Sequence, residues 1–166
     1  MAILKIVKDS DNILRETSKK VDKISPRIIR LLEDMNDTLL EANGAGLAAV
    51  QVGVLRRVVL VRTEPDTLYE MINPEIISSE GEQQELEGCL SLPGQWGITS
   101  RPMKVTVRAM NRNGEVYEVT GSGLTARAFC HELDHLDGVL YTDKAVHMLT
   151  DEEIRERYSD QDNDEE

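Results

Sequence analysis

The segment His131-Glu132-Leu133-Asp134-His135 constrains this chain of 166 residues more than any other. Residues i and i+4 lie on one face of a helix, so both imidazoles can bind one metal ion only if the segment is helical. Glu132 directly follows the first histidine, where its carboxylate can act as a general base on water beside the ion. The alternative is a solvated helix face with two ordinary histidines. The chain has three histidines, and two of them occupy this spacing, which favours a metal site.

A catalytic zinc-type site usually has three protein ligands, and the sequence offers two candidates for the third. Cys89, in Glu87-Gly88-Cys89-Leu90-Ser91, is favoured because a thiolate suits zinc or ferrous iron. His147 lies 12 residues beyond His135 without the glycine pattern of the metzincins, so we expect a surface histidine there. Two alternatives stay open for Cys89: a buried free thiol, or a nucleophile with one of the paired histidines as its base.

The segment Gly44-Ala45-Gly46-Leu47-Ala48-Ala49-Val50-Gln51 is a further candidate for the site. Its two glycines and small side chains allow another backbone to lie against it, and Gln51 can direct an amide donor at a developing oxyanion. Taken alone, the segment is equally consistent with a loop that ends a helix and packs tightly. It lacks the G-x-G-x-x-G pattern of a dinucleotide site.

Composition narrows the class of protein. The length predicts one domain, and 40% apolar with 30% charged residues is typical of a globular chain. No apolar run approaches a membrane span, the first residues do not resemble a signal or transit peptide, and two cysteines cannot form a disulfide framework, so we expect a cytoplasmic location. Residues 151–166 carry nine acids and two arginines, a net charge of −7 out of −12. The rest has no basic stripe, which argues against direct nucleic-acid binding.

Periodicity predicts an α+β fold. A helix is expected from Ser25-Pro26 to Gly44, a short one after Asp11 or Asn12, and another from Ser122 or Gly123 to Gly138. Strands are expected at 57–62 and at 69–73, the second ended by Asn73-Pro74, and a hairpin at 104–119 around Asn113-Gly114. Thr150 and Glu153 form a capping-box pattern for a last short helix, followed by a disordered acidic tail from Asp160. We therefore divide the chain into a catalytic domain, 1–149, and a C-terminal helix and tail, 150–166.

The segments GAGLAAVQ, EGCLS and HELDHLDG, in this order, resemble the three signature motifs of peptide deformylase, and the resemblance extends from roughly Ile3 to Tyr141. It implies a single compact domain with antiparallel sheets packed around a central metal-binding helix. It also implies a metal-dependent hydrolase that removes the N-formyl group from the N-terminal formylmethionine of newly synthesised polypeptides and releases formate.

The resemblance also assigns roles to residues. The implied metal ligands are Cys89, His131 and His135, the implied catalytic carboxylate is Glu132, and the implied oxyanion donors are the Gln51 side chain and the Leu90 backbone N–H. The implied substrate contacts are Ala45, Gly46 and Gly88, and the implied methionine pocket contains Leu124, Arg127 (through its stem) and Ala128. Ferrous iron is the typical metal of the family, and zinc, nickel or cobalt can replace it.

Three positions depart from, or add to, this pattern. Trp96 stands where many relatives have an arginine at the substrate rim, and Cys130, where glutamine is common, is expected to serve in packing. Arg101 is expected to pair with Glu87, a surface arginine being the alternative.

The expected binding partners are formylmethionyl nascent peptides. Ribosome association is left open, no membrane contact is expected, and the protein is expected to be a monomer. The rival functions are an endopeptidase with the same helix and a binding module with a structural zinc site, although a structural site favours four ligands.

Overall fold

Two antiparallel sheets form the framework, in a computed structural model that describes residues 2–64 and 66–164. The larger sheet has the strand order β1-β2-β3-β6-β7, and the smaller has the order β4-β5-β8. All neighbouring strands in both sheets are antiparallel. The strands are β1 (Gly46–Ala48), β2 (Val58–Glu64), β3 (Thr67–Glu80), β4 (Gln83–Cys89), β5 (Leu92–Arg101), β6 (Lys104–Met110), β7 (Val116–Ser122) and β8 (Ala145–Met148).

The first α-helix, α1 (Pro26–Ala42), confirms the sequence prediction at both ends. Proline suits the first helical position because its missing N–H has no partner to lose there. The helix ends at Asn43, whose φ of 53° is left-handed and whose N–H reaches back to the carbonyls of Leu39 and Leu40. Its buried apolar face packs on β1 and β2 and forms a core cluster on that side of the large sheet.

The second helix, α2 (Leu124–Leu136), lies on the other side of the large sheet and carries the histidine motif. It contacts β1, β2, β6 and β7 of the large sheet and β5 of the small one. Nine of its 13 residues are buried, including both histidines and Glu132. Because apolar neighbours fix this helix on several sides, its polar residues are held in a rigid setting. The α+β prediction, with antiparallel sheets around this helix, is confirmed.

Strand β3 corrects one prediction. The strand was expected to end at Asn73-Pro74, but it continues to Glu80. Asn73 adopts a left-handed φ of 51°, and the register with β6 shifts between Ile72 and Glu75. The Asn73 side chain accepts from the Val21 N–H at 2.8 Å and donates to the Val21 carbonyl at 2.9 Å. These bonds stabilise a bulge, where a proline without an N–H is tolerated.

Other elements match or extend the expectations. A 3-10 helix, Asn12–Arg15, follows Asp11, and the hairpin of β6 and β7 is paired as predicted. The capping box is present, with Thr150 and Glu153 exchanging backbone-to-side-chain bonds of 3.2 Å. The helix α3 (Asp151–Asp164) is longer than the short helix expected. It continues through residues 160–164, where the sequence predicted a disordered tail; the side chains from 159 onward and residues 165 and 166 lie outside the described part.

Candidate metal centre

Three donor atoms from two distant segments meet beside α2. Cys89 ends β4, and His131 and His135 lie one turn apart on α2. The Nε2 atoms of the two histidines are 3.2 Å apart, and the Cys89 Sγ is 3.4 Å from the His135 Nε2. The ligand atoms of all three residues lie within 4.8 Å of one another. The structure thus brings together the three residues that the sequence selected.

This donor set fits a metal ion. Bond lengths of about 2.0–2.1 Å to imidazole and about 2.3 Å to sulfur place tetrahedral donors roughly 3.3–3.6 Å apart. The N···N and S···N separations here are close to that range. One soft thiolate and two imidazoles suit zinc and divalent iron, nickel or cobalt alike, so the donors fit a transition metal without selecting one.

Glu87 orients the first histidine. The His131 Nδ1–H donates to the Glu87 Oε1 at 2.5 Å, which leaves the Nε2 lone pair facing the other ligands. Thr99 also donates to Glu87, and the Arg101 Nη2 donates to it at 2.8 Å. Burial alone would raise the pKa of Glu87, but the bonds from His131 and Arg101 outweigh it and lower the pKa to about 2. Glu87 is therefore a carboxylate throughout the physiological range.

Arg101 connects this carboxylate to α2. Its side chain is 2% exposed, and its Nη1 donates to the Asp134 Oδ2 at 2.6 Å. Lys144, in the segment before β8, donates to the other oxygen of Asp134 at 3.0 Å. The expected pair of Arg101 and Glu87 is confirmed, and the surface-arginine alternative is wrong. The sequence reasoning missed Asp134, although its position three residues after His131 places it on the same helix side.

In the metal-free site, the pKa values of the two imidazoles are shifted in opposite directions. Burial opposes protonation of His131, yet the charges of Glu132, Cys89 and Glu87 raise its pKa. Burial and the neighbouring charge on His131 lower the pKa of His135. The pair therefore holds at most one extra proton between its facing nitrogens, and a cation can take the place of that proton.

Glu132 points into the same space without a fixed partner. The residue is 4% exposed, and its Oε1 has no hydrogen-bond partner among the described residues. Burial raises the pKa of this carboxyl to about 7, only partly offset by the charge on His131. Gly46 lies directly against it, since a Cβ at that position would come within 2.6 Å of the Glu132 Oε2. A carboxyl with a pKa near 7 can both accept and return a proton.

Gln51 is held with its amide nitrogen toward the cysteine. Its Oε1 accepts from the Ala48 N–H at 3.0 Å, which fixes the orientation of the amide. Its Nε2 donates to the Ser91 Oγ at 3.1 Å and lies 3.5 Å from the Cys89 Sγ. Gln51 is 1% exposed and follows β1 in a short 3-10 helix, Ala49–Val52, so the expected loop after α1 is in part a strand and a helical turn. Ser91, in the EGCLS segment, was missed as its partner.

A cavity of about 460 Å³ opens onto these groups. Glu132, Gln51, Leu90, Cys89 and His131 line one part of it. The substrate contacts expected from the sequence line the rest: Ala45, Gly46, Gly88, Leu124, Arg127 and Ala128. His135 lies behind His131 and is 1% exposed. The candidate metal centre and all the candidate substrate contacts therefore border the same cavity.

Trp96 forms part of the cavity wall where an arginine was expected in relatives. Its indole ring packs so closely on Gly88 that a Cβ there would lie 2.5 Å from the Trp96 Cζ3. A side chain at position 88 would therefore collide with this ring. The wall at this position is aromatic and apolar.

Two residues lie away from the centre, as predicted. His147 is half exposed in β8 and binds Glu153, with its Nε2 2.9 Å from the Glu153 Oε2. Cys130 is 6% exposed within the core cluster, and burial raises the pKa of its thiol. Tyr141, which the sequence reasoning missed, stacks on the His131 ring with centroids 5.8 Å apart. No sequence signal pointed to it, because it lies outside the motif.

No helix within residues 2–64 and 66–164 is long and apolar enough to cross a membrane.

Known proteins with similar sequences share one description. The sequence profile of the polypeptide deformylase family matches residues 3–150. A peptide deformylase of Acetivibrio thermocellus is 54% identical over 157 residues, covering 95% of this chain and 92% of the relative. Another, of Caldicellulosiruptor bescii, is 49% identical over 159 residues, covering 96% and 95%.

Solved structures agree with the sequence matches. A crystal structure of a peptide deformylase from Legionella pneumophila has a TM-score of 0.84 at 37% identity and covers 99% of this chain and 96% of its own. The peptide deformylase of Thermotoga maritima has a TM-score of 0.84 at 34% identity, covering 87% and 99%. The fold is therefore that of these relatives.

Proposed function

Because this chain belongs to the polypeptide deformylase family and removes the N-formyl group from newly synthesised polypeptides, we propose that Cys89, His131 and His135 bind its metal ion and that Glu132 is its proton carrier. The observation that carries this proposal is the convergence of three donor atoms within 4.8 Å at the wall of one cavity, beside a buried carboxyl without a fixed partner. The enzyme is a hydrolase that depends on a metal.

When bound, a divalent ion lowers the pKa of water and polarises the formyl carbonyl. Glu132 accepts the proton released from that water, because it is buried without a fixed partner and burial raises its pKa to about 7 in the metal-free protein. The same carboxyl then delivers the proton to the departing amine, and the products are formate and a free amino terminus. Gly46 permits this, because a side chain there would displace the carboxyl.

The Gln51 amide and the Leu90 N–H stabilise the oxyanion that develops on the formyl oxygen. Gln51 is suited to this because its carbonyl end is fixed on Ala48 and one N–H is bound by Ser91, so the other N–H is held toward Cys89 at the cavity. Ser91 keeps the amide in place. Each such donor contributes about 3 kcal/mol to the transition state.

The substrate lies along Ala45, Gly46 and Gly88, and its first side chain enters the pocket of Leu124, Arg127 and Ala128. All six residues line the cavity, which supports the assignment. The Trp96 ring closes the wall above Gly88. Such a confined site accepts a formyl group and excludes the additional methyl of an acetyl group.

The test is release of formate from a formyl-Met peptide, with the acetyl-Met peptide as control. Rapid release from the formyl peptide alone is expected. Equal turnover of the acetyl peptide contradicts the confined site, and cleavage of internal bonds in unblocked proteins favours an endopeptidase instead.

We propose ferrous iron as the metal, because it is the typical metal of the family and the thiolate and imidazole donors accommodate it. Iron and its thiolate are both open to oxidation, so protein purified in air should lose activity, and nickel or cobalt should restore it. An air-stable protein with stoichiometric zinc, fully active as isolated, contradicts the assignment. Metal analysis of protein purified with and without oxygen decides this.

The substrate also suggests where in the cell the protein acts. We expect a cytoplasmic monomer, with residues 1–149 as the catalytic unit, because formylated chains emerge where proteins are made. Ribosome association stays open. The acidic residues of α3 in Asp151-Glu152-Glu153 do not favour contact with RNA. Sedimentation of the protein with and without ribosomes tests both the oligomeric state and the association.

A further inference from the structure

Arg127 is an unusual residue to line a pocket for an apolar side chain, because it carries a charge. It lies in the first turns of α2, and it lines the cavity together with Leu124 and Ala128. Its side chain is only 17% exposed. A guanidinium aimed into the cavity would need a polar partner there, because an unpaired charge in an apolar setting is costly.

The guanidinium is instead bound by Gln83, in β4. The Arg127 Nη1 donates to the Gln83 Oε1 at 3.2 Å. The Gln83 Nε2 donates to two backbone carbonyls, those of Pro102 and Gly123, both at 2.9 Å. These two bonds fix which end of the amide carries the nitrogen. The oxygen is therefore left as a fixed acceptor for Arg127.

Glu85 adds little to this bond. Its Oε2 lies 4.0 Å from the Arg127 Nη1, and its side chain is 60% exposed, so water screens the pair. Neither Glu85 nor Gln83 is among the described residues that line the cavity. The charged end of Arg127 thus points away from the cavity, and its methylene groups are the part that faces it.

We infer that Gln83 is a positioning residue for substrate selection: it holds Arg127 extended, so that the methylene groups of Arg127 form a fixed side of the pocket for the first substrate residue. This inference rests on the proposed assignment of Arg127 to that pocket. The Gly123 carbonyl that binds the Gln83 side chain also accepts a hydrogen bond from the backbone N–H of Arg127 at 3.0 Å. One carbonyl therefore positions both residues of the pair. A long side chain without such an anchor would lose its single rotamer.

The experiment compares formate release by wild type, Gln83→Met and Gln84→Met from formyl-Met and formyl-Ala peptides. Gln84 is the matched control, because it is the next residue of the same strand and is exposed. In Gln83→Met we expect the preference for methionine in kcat/KM to fall about tenfold, the size of a lost methylene contact. The loss should lie in KM for the formyl-Met peptide. Gln84→Met should retain the wild-type preference.

A second variant keeps the test valid if Gln83→Met folds poorly, since that change removes the bonds that Gln83 donates to the Pro102 and Gly123 carbonyls. Arg127→Met removes the guanidinium while the bonds of Gln83 to Pro102 and Gly123 remain. We expect the same loss of preference, and no further loss in the double variant, because both changes break one contact.

Three results overturn the inference. They are an unchanged preference in Gln83→Met, an equal fall in kcat for both peptides, and a full additional loss of preference when Gln83→Met is added to Arg127→Met. No formate release by wild type from either peptide would instead contradict the proposed function, on which the inference rests. Formate release by wild type with an unchanged preference in the variants contradicts the inference alone.

Discussion

Replacing Arg101 by methionine should destabilise the metal-free protein by about 3 kcal/mol at pH 7. Arg101 is 2% exposed and lies between Glu87 and Asp134, so its loss leaves a buried carboxylate beside the metal ligands without its cation. The difference between the ordinary pKa of 4.5 for Glu87 and its value of about 2 corresponds to about 3 kcal/mol that His131 and Arg101 supply together, so loss of Arg101 forfeits part of it and also removes the bond to Asp134. Loss of one partner of a buried pair costs about 3–5 kcal/mol, which agrees.

The effect should depend on pH in a defined direction. The pKa of Glu87 is lowered in the folded state, so its contribution is fully present above about pH 5 and is lost as the pH falls toward 2. The difference between wild type and Arg101→Met should therefore shrink at acid pH, by at most about 2 kcal/mol at pH 3.

Urea unfolding of the chelator-treated proteins at pH 7 and pH 3 measures both effects. Arg108→Met is the control, because Arg108 is 47% exposed and its pairs with Glu75 and Glu118 are worth less than about 1 kcal/mol. The melting temperature at pH 7 should fall by roughly 6–12 °C in Arg101→Met. A cost below about 1 kcal/mol at pH 7, or an equal cost at both pH values, would refute the reasoning.

Three further predictions concern the centre itself. Glu132→Gln should reduce kcat by about 10³-fold or more while the metal content stays stoichiometric; loss of metal with activity would make Glu132 a ligand. Gly46→Ala should lower kcat because the new Cβ would lie 2.6 Å from the Glu132 Oε2, whereas a melting curve and kcat like those of wild type would show that the Glu132 side chain can move away without loss of function. An alkylating reagent should label Cys89 only after a chelator removes the metal, whereas the buried Cys130 should stay slow in both states. Peptide mapping by mass spectrometry distinguishes the two thiols, and chelator-dependent labelling of Cys130 alone would move the ligand to that residue.

Much of the site could be predicted because its chemistry lies in short local patterns. The spacing of His131 and His135 needs only helical geometry, and the helix that carries them begins and ends close to where capping residues place it. The third ligand had to be chosen between Cys89 and His147. Only ligand chemistry and the family resemblance favoured Cys89. Its roles and those of the other site residues stay proposals.

What could not be predicted depends on contacts between distant segments. Strand β8 has four residues and no strong alternation, and it is a strand because it pairs with β5. The continuation of β3 depends on Asn73 binding Val21, which lies 52 residues earlier. Likewise, Tyr141 contacts the site through ring stacking, and the partner of Arg127 is a glutamine in the small sheet. Such contacts leave no local pattern in the sequence.

The separation of the ligands along the chain also bears on when the centre can form during synthesis. Cys89 belongs to β4, at the edge of the small sheet, whereas both histidines lie on α2 and β8 completes the sheet near the end of the chain. Closing such long segments is slow, because the entropy of the loop is lost before the contacts form. The full set of three candidate ligands therefore exists only after residue 135 has been synthesised, so we expect a copy that stalls earlier to lack the centre.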